Sequence, residues 1–576
     1  MKVLNGLAAS GGYAIAPAYL LGSVHFTVTK HHSNDQNHEV QRLHDSFAIT
    51  RDEIKKLQQQ AHLNLGRQAA TVMDIEVDIM ADQEFYQEIQ DLITLSHYTA
   101  EWAVAQQSEH YQELFKKMNN NDYLRQRATA VTEVRQRLLS HLLKKPLPDA
   151  TKLNHPAIVV AASITPNDMV NFNDHVRGLI TDNGGPTSHF AIMSQQLRIP
   201  TVVGAGDATA QIKNGDQIIV DGVHGKVIIA PDQKTIDHYQ RLAGQYAQEM
   251  QRYGALREKR TISRDGHHFV VAANIEMPDE AAPSLEDGAE GVGLLRTEFL
   301  YMHSAELPDE ERQFKAYKQV LTAMPDQKVV MRTLDIGGDK RLGTLRLPNE
   351  TNPFLGFRAI RIGLKDTQIL RTQVRAMLRA SAYGRLAIMF PLVSTLDEFE
   401  EARSIVDDEK RNLIHQGVKV ADDIQIGMMV EVPSAVMMAD QLAREADFFS
   451  IGSNDLIQYM FAADRGNRRV SYLYNGMHPA ILRSIKRTID AAHAEGKWVG
   501  LCGELAANKL AVPLLVAMGL DEFSMTSSKV TGVRSLIKQL EKRQLQPLLH
   551  QALAATDAET VGKLVKAQVP ALRDFE

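Results

Sequence analysis

A single thiol, Cys502, serves a chain of 576 residues. Neither a disulfide framework nor a cysteine-built zinc cluster can form within one chain on that complement. A reducing cytoplasm is the compartment it implies. An excess of basic charge is missing too: 64 Lys and Arg stand against 70 Asp and Glu, a net charge of −6 with no long Lys/Arg run. That balance argues against a nucleic-acid groove. No apolar run reaches the roughly 18 residues of a membrane span. The opening MKVLNGLAASGGYAIAPAYLLG is apolar in places, but Asn5, Ser10, Gly11, Gly12 and Pro17 interrupt it. It reads as short strands and a turn, not as a signal peptide. Glycine is nearly absent between residues 38 and 144, Gly66 being the exception.

What is present is the composition of a soluble globular protein, 44% apolar and 23% charged, at a length that exceeds one core. Residues 1–24 have a β character. In the glycine-poor block, Val40, Leu43, Phe47, Ile54 and Leu57 recur on one helical face. The segments around Trp102–Met118 and Tyr123–Leu143 are also helical in pattern, so 25–144 reads as an all-α domain of helical hairpins. Lys144, Lys145, Pro146, Leu147 and Pro148 end it. Strand signals return at 157–162, 176–182 and 200–204, and GDQIIVDGVHGKVIIA (215–230) reads as a hairpin turning near Gly222–Gly225. The helical block is thus inserted into a small α/β domain made of 1–24 and 145–230. Residues 231–261 hold a linker helix whose stripe is Ile236, Tyr239, Leu242, Tyr246, Met250 and Tyr253.

From 262 to 576 the rhythm becomes strand, loop, helix. Short apolar β-rich runs stand at 268–275, 291–296, 328–335, 386–393, 424–431, 447–452, 498–504 and 522–526. Eight such runs, mostly separated by helical segments, predict a (β/α)8 TIM barrel. An open doubly wound sheet gives a similar rhythm and is the alternative.

Barrel chemistry sits where strands pass into their following loops. Arg296, Arg332, Glu431 and Cys502 fall at such ends, with Asn454, Asp455 and Arg465 after the run at 447–452 and Lys340 after the run at 328–335. Two arginines and Lys340 can clamp a dianionic phosphate. Glu431 and Asp455 are hard oxygen ligands that suit Mg²⁺. Cys502 can deliver a proton to an enolate carbon, although a buried structural cysteine is the plainer alternative. In the small domain, DNGGPTSHFAIMSQQL (182–197) places a tight Gly-Gly-Pro loop before His189. Thr187 or Ser188 is placed to cap a helix there. An imidazole at that positive helix end resists protonation and keeps a lone pair for attack on phosphorus.

These strings resemble the enzyme I family of the bacterial phosphoenolpyruvate:sugar phosphotransferase system. GGPTSHFAIM, EGVGLLRTEFLYM, VVMRTLDIGGDK, NPFLGFRAIR, MVEVPSA, FFSIGSNDLIQY, ADRGN, HAEGKWVGLCGELA and MGLDEFSM carry the resemblance over essentially the whole length. It implies phosphoryl transfer from phosphoenolpyruvate to His189 and on to the carrier protein HPr, docked on 25–144. Arg296, Arg332, Arg465, Asn454, Asp455, Lys340 and Arg358 would bind substrate. Glu431 and Asp455 would hold Mg²⁺, and Cys502 would protonate the enolate. It also implies a homodimer formed through the barrel, in the cytoplasm, with the first step of sugar uptake as the role. The family's pattern is broken at Pro186, Phe190, Ser194 and Gln195, and in the helical block at Arg67 and Glu76, where an acidic residue and a histidine are expected. Two rivals therefore stand beside this expectation. One is a phosphoenolpyruvate-sensing regulatory paralogue with weak or altered transfer. The other is a metal-dependent lyase or aldolase that acts on the barrel without His189.

Overall fold

The computed structural model describes residues 1–22, 26–64, 66–117, 122–147, 153–185, 188–254, 259–302, 306–338, 347–348, 350–467 and 469–575. The chain divides into two compact units, residues 1–249 and 250–576. In the first unit, strands β1 (Lys2–Asn5), β2 (Leu7–Ser10), β3 (Tyr13–Leu20), β4 (Ala157–Ala161), β5 (Val176–Thr181), β6 (Thr201–Val203), β7 (Gln217–Asp221) and β8 (Lys226–Ile229) share one sheet. Their order is β1-β8-β7-β3-β4-β5-β6-β2. The inner strands β3, β4, β5 and β6 run parallel. They read as apolar runs because helices cover them; β4, AIVVA, is buried at every position. The hairpin β7–β8 turns between Asp221 and Lys226, at the predicted place.

Between β3 and β4 the chain makes the helices Gln36–Asn64, Gly66–Ala81, Gln83–Thr94, Ala100–Lys117 and Asp122–Leu143. The predicted face is the one that packs: Leu43, Phe47, Ile54 and Leu57 are buried, and Phe85, Ile89, Ile93, Val131, Val134 and Leu138 complete the bundle interior. Asp82 caps the third helix by accepting from the Glu84 and Phe85 amides at 2.9 and 3.3 Å. The helix Gln233–Gly254 follows β8. Tyr239 and Tyr246 meet the ring of Tyr13 edge-on, and the Tyr239 hydroxyl donates to Asp221 at 3.2 Å. Tyr239 and Tyr246 of the stripe seen in the sequence thus pack against the start of β3.

The second unit is a closed barrel. Strands β10 (His268–Ile275), β11 (Gly291–Leu295), β12 (Lys328–Arg332), β13 (Arg385–Phe390), β14 (Gln425–Val430), β15 (Phe448–Ile451), β16 (Trp498–Leu501) and β17 (Glu522–Thr526) pair in sequence order, and β10 pairs with both β11 and β17. All these pairings are parallel. Closure between β10 and β11 rules out the open sheet. The short β9 (Thr261–Ile262) lies antiparallel to β10 outside the ring. Leu294, Val330, Ala387, Met389, Met429 and Phe448 fill the interior, which is a packed core and not a pore. On the outside, the buried Arg534 donates to Thr261 Oγ1 at 2.9 Å and to the carbonyls of Gly288 and Lys259. It fastens the start of the barrel.

Several strands end earlier than their apolar runs. Pairing stops at Leu295, Arg332, Phe390 and Leu501, where the runs extend to 296, 335, 393 and 504. The reason is local. Arg296 and Cys502 still donate their amides to the carbonyls of Ile275 and Ile451, at 3.0 and 3.1 Å. Beyond those bonds the chain leaves the ladder and turns its polar residues into the mouth. Among the described residues, no helix is long and apolar enough to cross a membrane.

Candidate active site

The mouth of the barrel holds a cavity of about 230 Å³ lined by Arg296, Arg332, Arg358, Arg465, Asp335, Glu431, Asn454, Asp455 and Cys502, with Leu294, Met429 and three glycines. The residues come from strand ends and following loops of β11, β12, β14, β15 and β16, far apart in sequence and adjacent in the ring. Eight of the expected barrel-site residues therefore meet in one place. The ninth, Lys340, lies outside the described residues.

The cations are not alike. Arg332 ends β12 and is buried; its guanidinium meets Glu298 and Asp335 at 2.9 Å each. Arg358 is equally buried, meets Asp335 at 2.9 Å and Asp455 at 3.5 Å, and donates to the Tyr459 hydroxyl at 3.1 Å. Burial works against both charges, and the facing carboxylates more than restore them, so both groups titrate above the usual arginine range. A buried ion pair of this kind is rigid, and its planar donors are set before a ligand arrives. Arg296 pairs with Glu276 and is partly open to solvent, while Arg465 is exposed. The first two cations form a buried floor and the second two a more open rim.

The backbone under this floor is held by a buried network. Thr297 Oγ1 donates to the Arg332 carbonyl at 2.9 Å, Gln373 donates to Thr297 at 3.1 Å, and the Leu334 amide donates back to Gln373 at 2.9 Å. Gly337 has φ +117°, and a Cβ there would stand 2.3 Å from that of Arg358, so only glycine lets this loop pass the arginine. Two residues that do carry Cβ atoms, Ala359 and Leu392, adopt φ of 54° and 55°. Such conformations cost on the order of 1–3 kcal/mol each. Ala359 follows Arg358, and Leu392 donates its amide to Glu431 at 2.7 Å, so both distortions serve the cavity.

Glu431 is the most enclosed carboxyl in the site, 1% exposed. Burial, then the charges of Asp455 and Asp335, push it up to about 8 against the pull of Arg332 and Arg358. Asp455 Oδ1 is buried and accepts no hydrogen bond, although Arg358 faces it. Asn454 accepts from the Glu504 amide at 3.3 Å and its carbonyl accepts from Tyr474 at 3.2 Å, which joins the loops after β15 and β16. Cys502 is 6% exposed and caps the apolar interior beside Leu294 and Met429. Burial pushes its thiol up to about 11, so it stays protonated at neutral pH.

In the first unit, Ser188 caps the helix His189–Gln196 by accepting from the Ala191 amide at 3.3 Å, one of the two placements open in the sequence. His189 is the first helical residue. Pro186 and Thr187 lie outside the described residues. Of the unusual positions, Gln195 donates to the Ala9 carbonyl at 2.6 Å. Glu76 is fully buried and accepts from Asn167 at 2.8 Å, joining the helical bundle to the segment after β4. Sequence reasoning gave no role to Glu298, Asp335 or Tyr459. The first two had a readable signal, because an arginine read into a strand end needs a carboxylate partner once buried. Tyr459 sits inside a helix and gave none.

Three family models match the chain within its two compact units. The PEP-utilising enzyme PEP-binding domain matches residues 250–542, the N-terminal domain 5–127 and the mobile domain 153–225. Phosphoenolpyruvate-protein phosphotransferase of Listeria monocytogenes is 46% identical over 566 residues, 98% of this chain and 99% of the relative. The chain belongs to the phosphoenolpyruvate-protein phosphotransferase family. The proteins of that name from Latilactobacillus sakei and Bacillus subtilis are 46% and 45% identical, each over 98% of this chain and 99% of their own length. The chain is accordingly a transferase of the phosphotransferase-system type, and its closed barrel is the part matched by the PEP-binding model.

Proposed function

We propose that this phosphotransferase moves the phosphoryl group of phosphoenolpyruvate to His189 and then to a histidine of the carrier protein HPr, releasing pyruvate as the first step of sugar uptake. The observation that carries the reading is the convergence of four arginines, two metal-type carboxylates and one protonated thiol in a single cavity at the barrel mouth. Arg332 and Arg358 would hold the anionic substrate through their unused N–H groups, and Arg296 and Arg465 would close over it. Phosphoryl transfer asks mainly for positioning and charge neutralisation, which this floor offers. The imidazole of His189 would attack phosphorus in line while the enol oxygen leaves. Cys502 would give its proton to the methylene carbon, which turns the enolate into pyruvate.

Mg²⁺ fits the donor set. Among the described residues no group of three or more His, Cys, Asp or Glu side chains is arranged to hold a metal ion by itself, and Mg²⁺ prefers one or two carboxylates with substrate oxygens and water. Asp455 Oδ1 is a buried acceptor without a hydrogen bond, and Glu431 is a carboxyl that burial and the neighbouring carboxylates push up, a cost that a cation would offset. These two residues would hold the ion, which supplies charge neutralisation at the phosphate and enolate oxygens. Residues 25–144 would dock HPr, the barrel would mediate a homodimer, and the cytoplasm is the expected compartment.

The test is pyruvate release with HPr as acceptor, in wild type and His189→Ala. Release that depends on both HPr and His189 supports the reading. Equal release by the variant returns the lyase alternative, and phosphoenolpyruvate binding without any transfer returns the sensor.

A further inference from the structure

We propose that Asn274 is a positioning residue for Cys502: its side-chain amide supplies a rung that strand pairing leaves out, and so fixes the thiol at the barrel mouth. Asn274 is the penultimate residue of β10, and Cys502 follows β16. Strand β17 stands between them in the ring, so no backbone ladder can join the two. The β16–β17 pairing runs Gly500↔Glu522 and Leu501↔Phe523 and then ends. Cys502 therefore lies one residue beyond its ladder. Its amide is held on one side by the Ile451 carbonyl at 3.1 Å. Its carbonyl accepts instead from Asn274 Nδ2 at 3.0 Å.

The orientation of that amide is itself set. Asn274 Oδ1 accepts from the Ser524 hydroxyl at 2.6 Å, and Nδ2 lies 3.4 Å from the Ser524 carbonyl. With its acceptor end engaged by a hydroxyl and its donor end by carbonyls, only one of the two amide flips satisfies all partners. Ser524, in turn, needs room. A Cβ at residue 293 of β11 would stand 2.3 Å from its hydroxyl oxygen, so Gly293 makes the space. Gly293, Ser524 and Asn274 form an inner arc from β11 through β17 and β10 that ends on the backbone of Cys502. A residue bonded at both its amide and its carbonyl keeps only its side-chain torsion free, and here the thiol reaches the Ile451 carbonyl at 3.8 Å and lies in the apolar cluster of Leu294 and Met429. The positioning stands on this geometry; its kinetic consequence rests on the proposed proton-donor role of Cys502.

Cys502 is the only cysteine, so a thiol reagent reads it without ambiguity. The experiment measures, on the full-length protein, the rate of Cys502 alkylation by iodoacetamide at one fixed pH, and kcat and KM for phosphoenolpyruvate. It compares wild type, Asn274→Ala and Ser524→Ala; the second variant removes a single hydroxyl and carries the test if the first does not fold. Alkylation several-fold faster in both variants, with kcat lowered about fivefold to tenfold and KM changed less than about twofold, is the expected result. Faster alkylation with an unchanged kcat upholds the positioning and removes the proton-donor role. Alkylation unchanged in both variants, or a loss confined to KM, overturns the proposal.

Discussion

Replacing Glu76 by glutamine should make the protein more stable at pH 8 and leave it nearly unchanged at pH 5. Glu76 is fully buried on the helix Gly66–Ala81; one oxygen accepts from Asn167, and the other, like Asn167 Oδ1, has no hydrogen-bond donor facing it. Burial first, then the charge of Glu133, push this carboxyl up to about 8, against Arg137 and the Asn167 bond, from an ordinary value of 4.5. A group whose folded pKa is raised contributes its stability in full below the unfolded value and loses it as pH climbs through the folded value. The interval here is about 4.5 to about 8. At about 1.4 kcal/mol per pH unit its upper bound is about 5 kcal/mol. Relaxation and water entry around the ionised group reduce this, so a loss on the order of 3 kcal/mol is expected. Glutamine keeps the shape, does not titrate, and offers both a donor and an acceptor to the Asn167 amide. Glu133, pushed up to about 6, and Asp168, also raised, titrate in the same direction and persist in the variant, so part of the pH dependence remains. The assay is urea unfolding of both proteins at pH 5, 6.5 and 8, followed by a probe in the first unit. Wild-type and variant curves that stay parallel across pH, or a variant less stable at pH 8, would refute the reasoning.

Other substitutions report on the barrel. Cys502→Ala should keep phosphoenolpyruvate binding, read by calorimetry, and lose turnover at least about tenfold. Because burial pushes the thiol up to about 11, wild-type kcat should show no alkaline fall from this group below about pH 9; such a fall, lost in Cys502→Ala, would contradict the assignment. Arg332→Met should weaken substrate binding and also lower the barrel's stability by about 3 kcal/mol, since Glu298 would be left buried without its arginine while Asp335 keeps only Arg358; a denaturant melt checks the second effect independently. Asp455→Asn should reduce Mg²⁺ affinity in a direct titration while the melt moves little, because the amide still fills the same space beside Arg358.

Much of this molecule was readable from its residues because two strong signals coincide. The barrel strands are short, apolar and separated by helices, and the helical block holds one glycine, Gly66, in about a hundred residues. Closure of the ring was not readable, since apolar runs do not say whether β10 finds β11. The strand ends were overread for a physical reason: Arg296 and Cys502 keep one backbone bond to the neighbouring strand, so apolar character and ladder do not stop at the same residue. The convergence of the candidate site was legible through its charges, which are costly at the end of a buried strand unless they are paired or face a ligand. The internal order of the site was not. Nothing in the sequence separates the buried, paired Arg332 and Arg358 from the open Arg296 and Arg465. The arc from Gly293 through Ser524 to Asn274 involves a glycine, a serine and an asparagine with no spacing rule between them. It exists only because the ring brings β10, β11 and β17 together.

The measurement that tests the central claim most directly is a single turnover with phosphorus-32 phosphoenolpyruvate and Mg²⁺, without carrier, followed by proteolysis and mapping of the label. The account predicts acid-labile label on the peptide that carries His189, none in His189→Ala, and its discharge when HPr is added. Label on another residue, or pyruvate formed at wild-type rate with no labelled peptide, would contradict it.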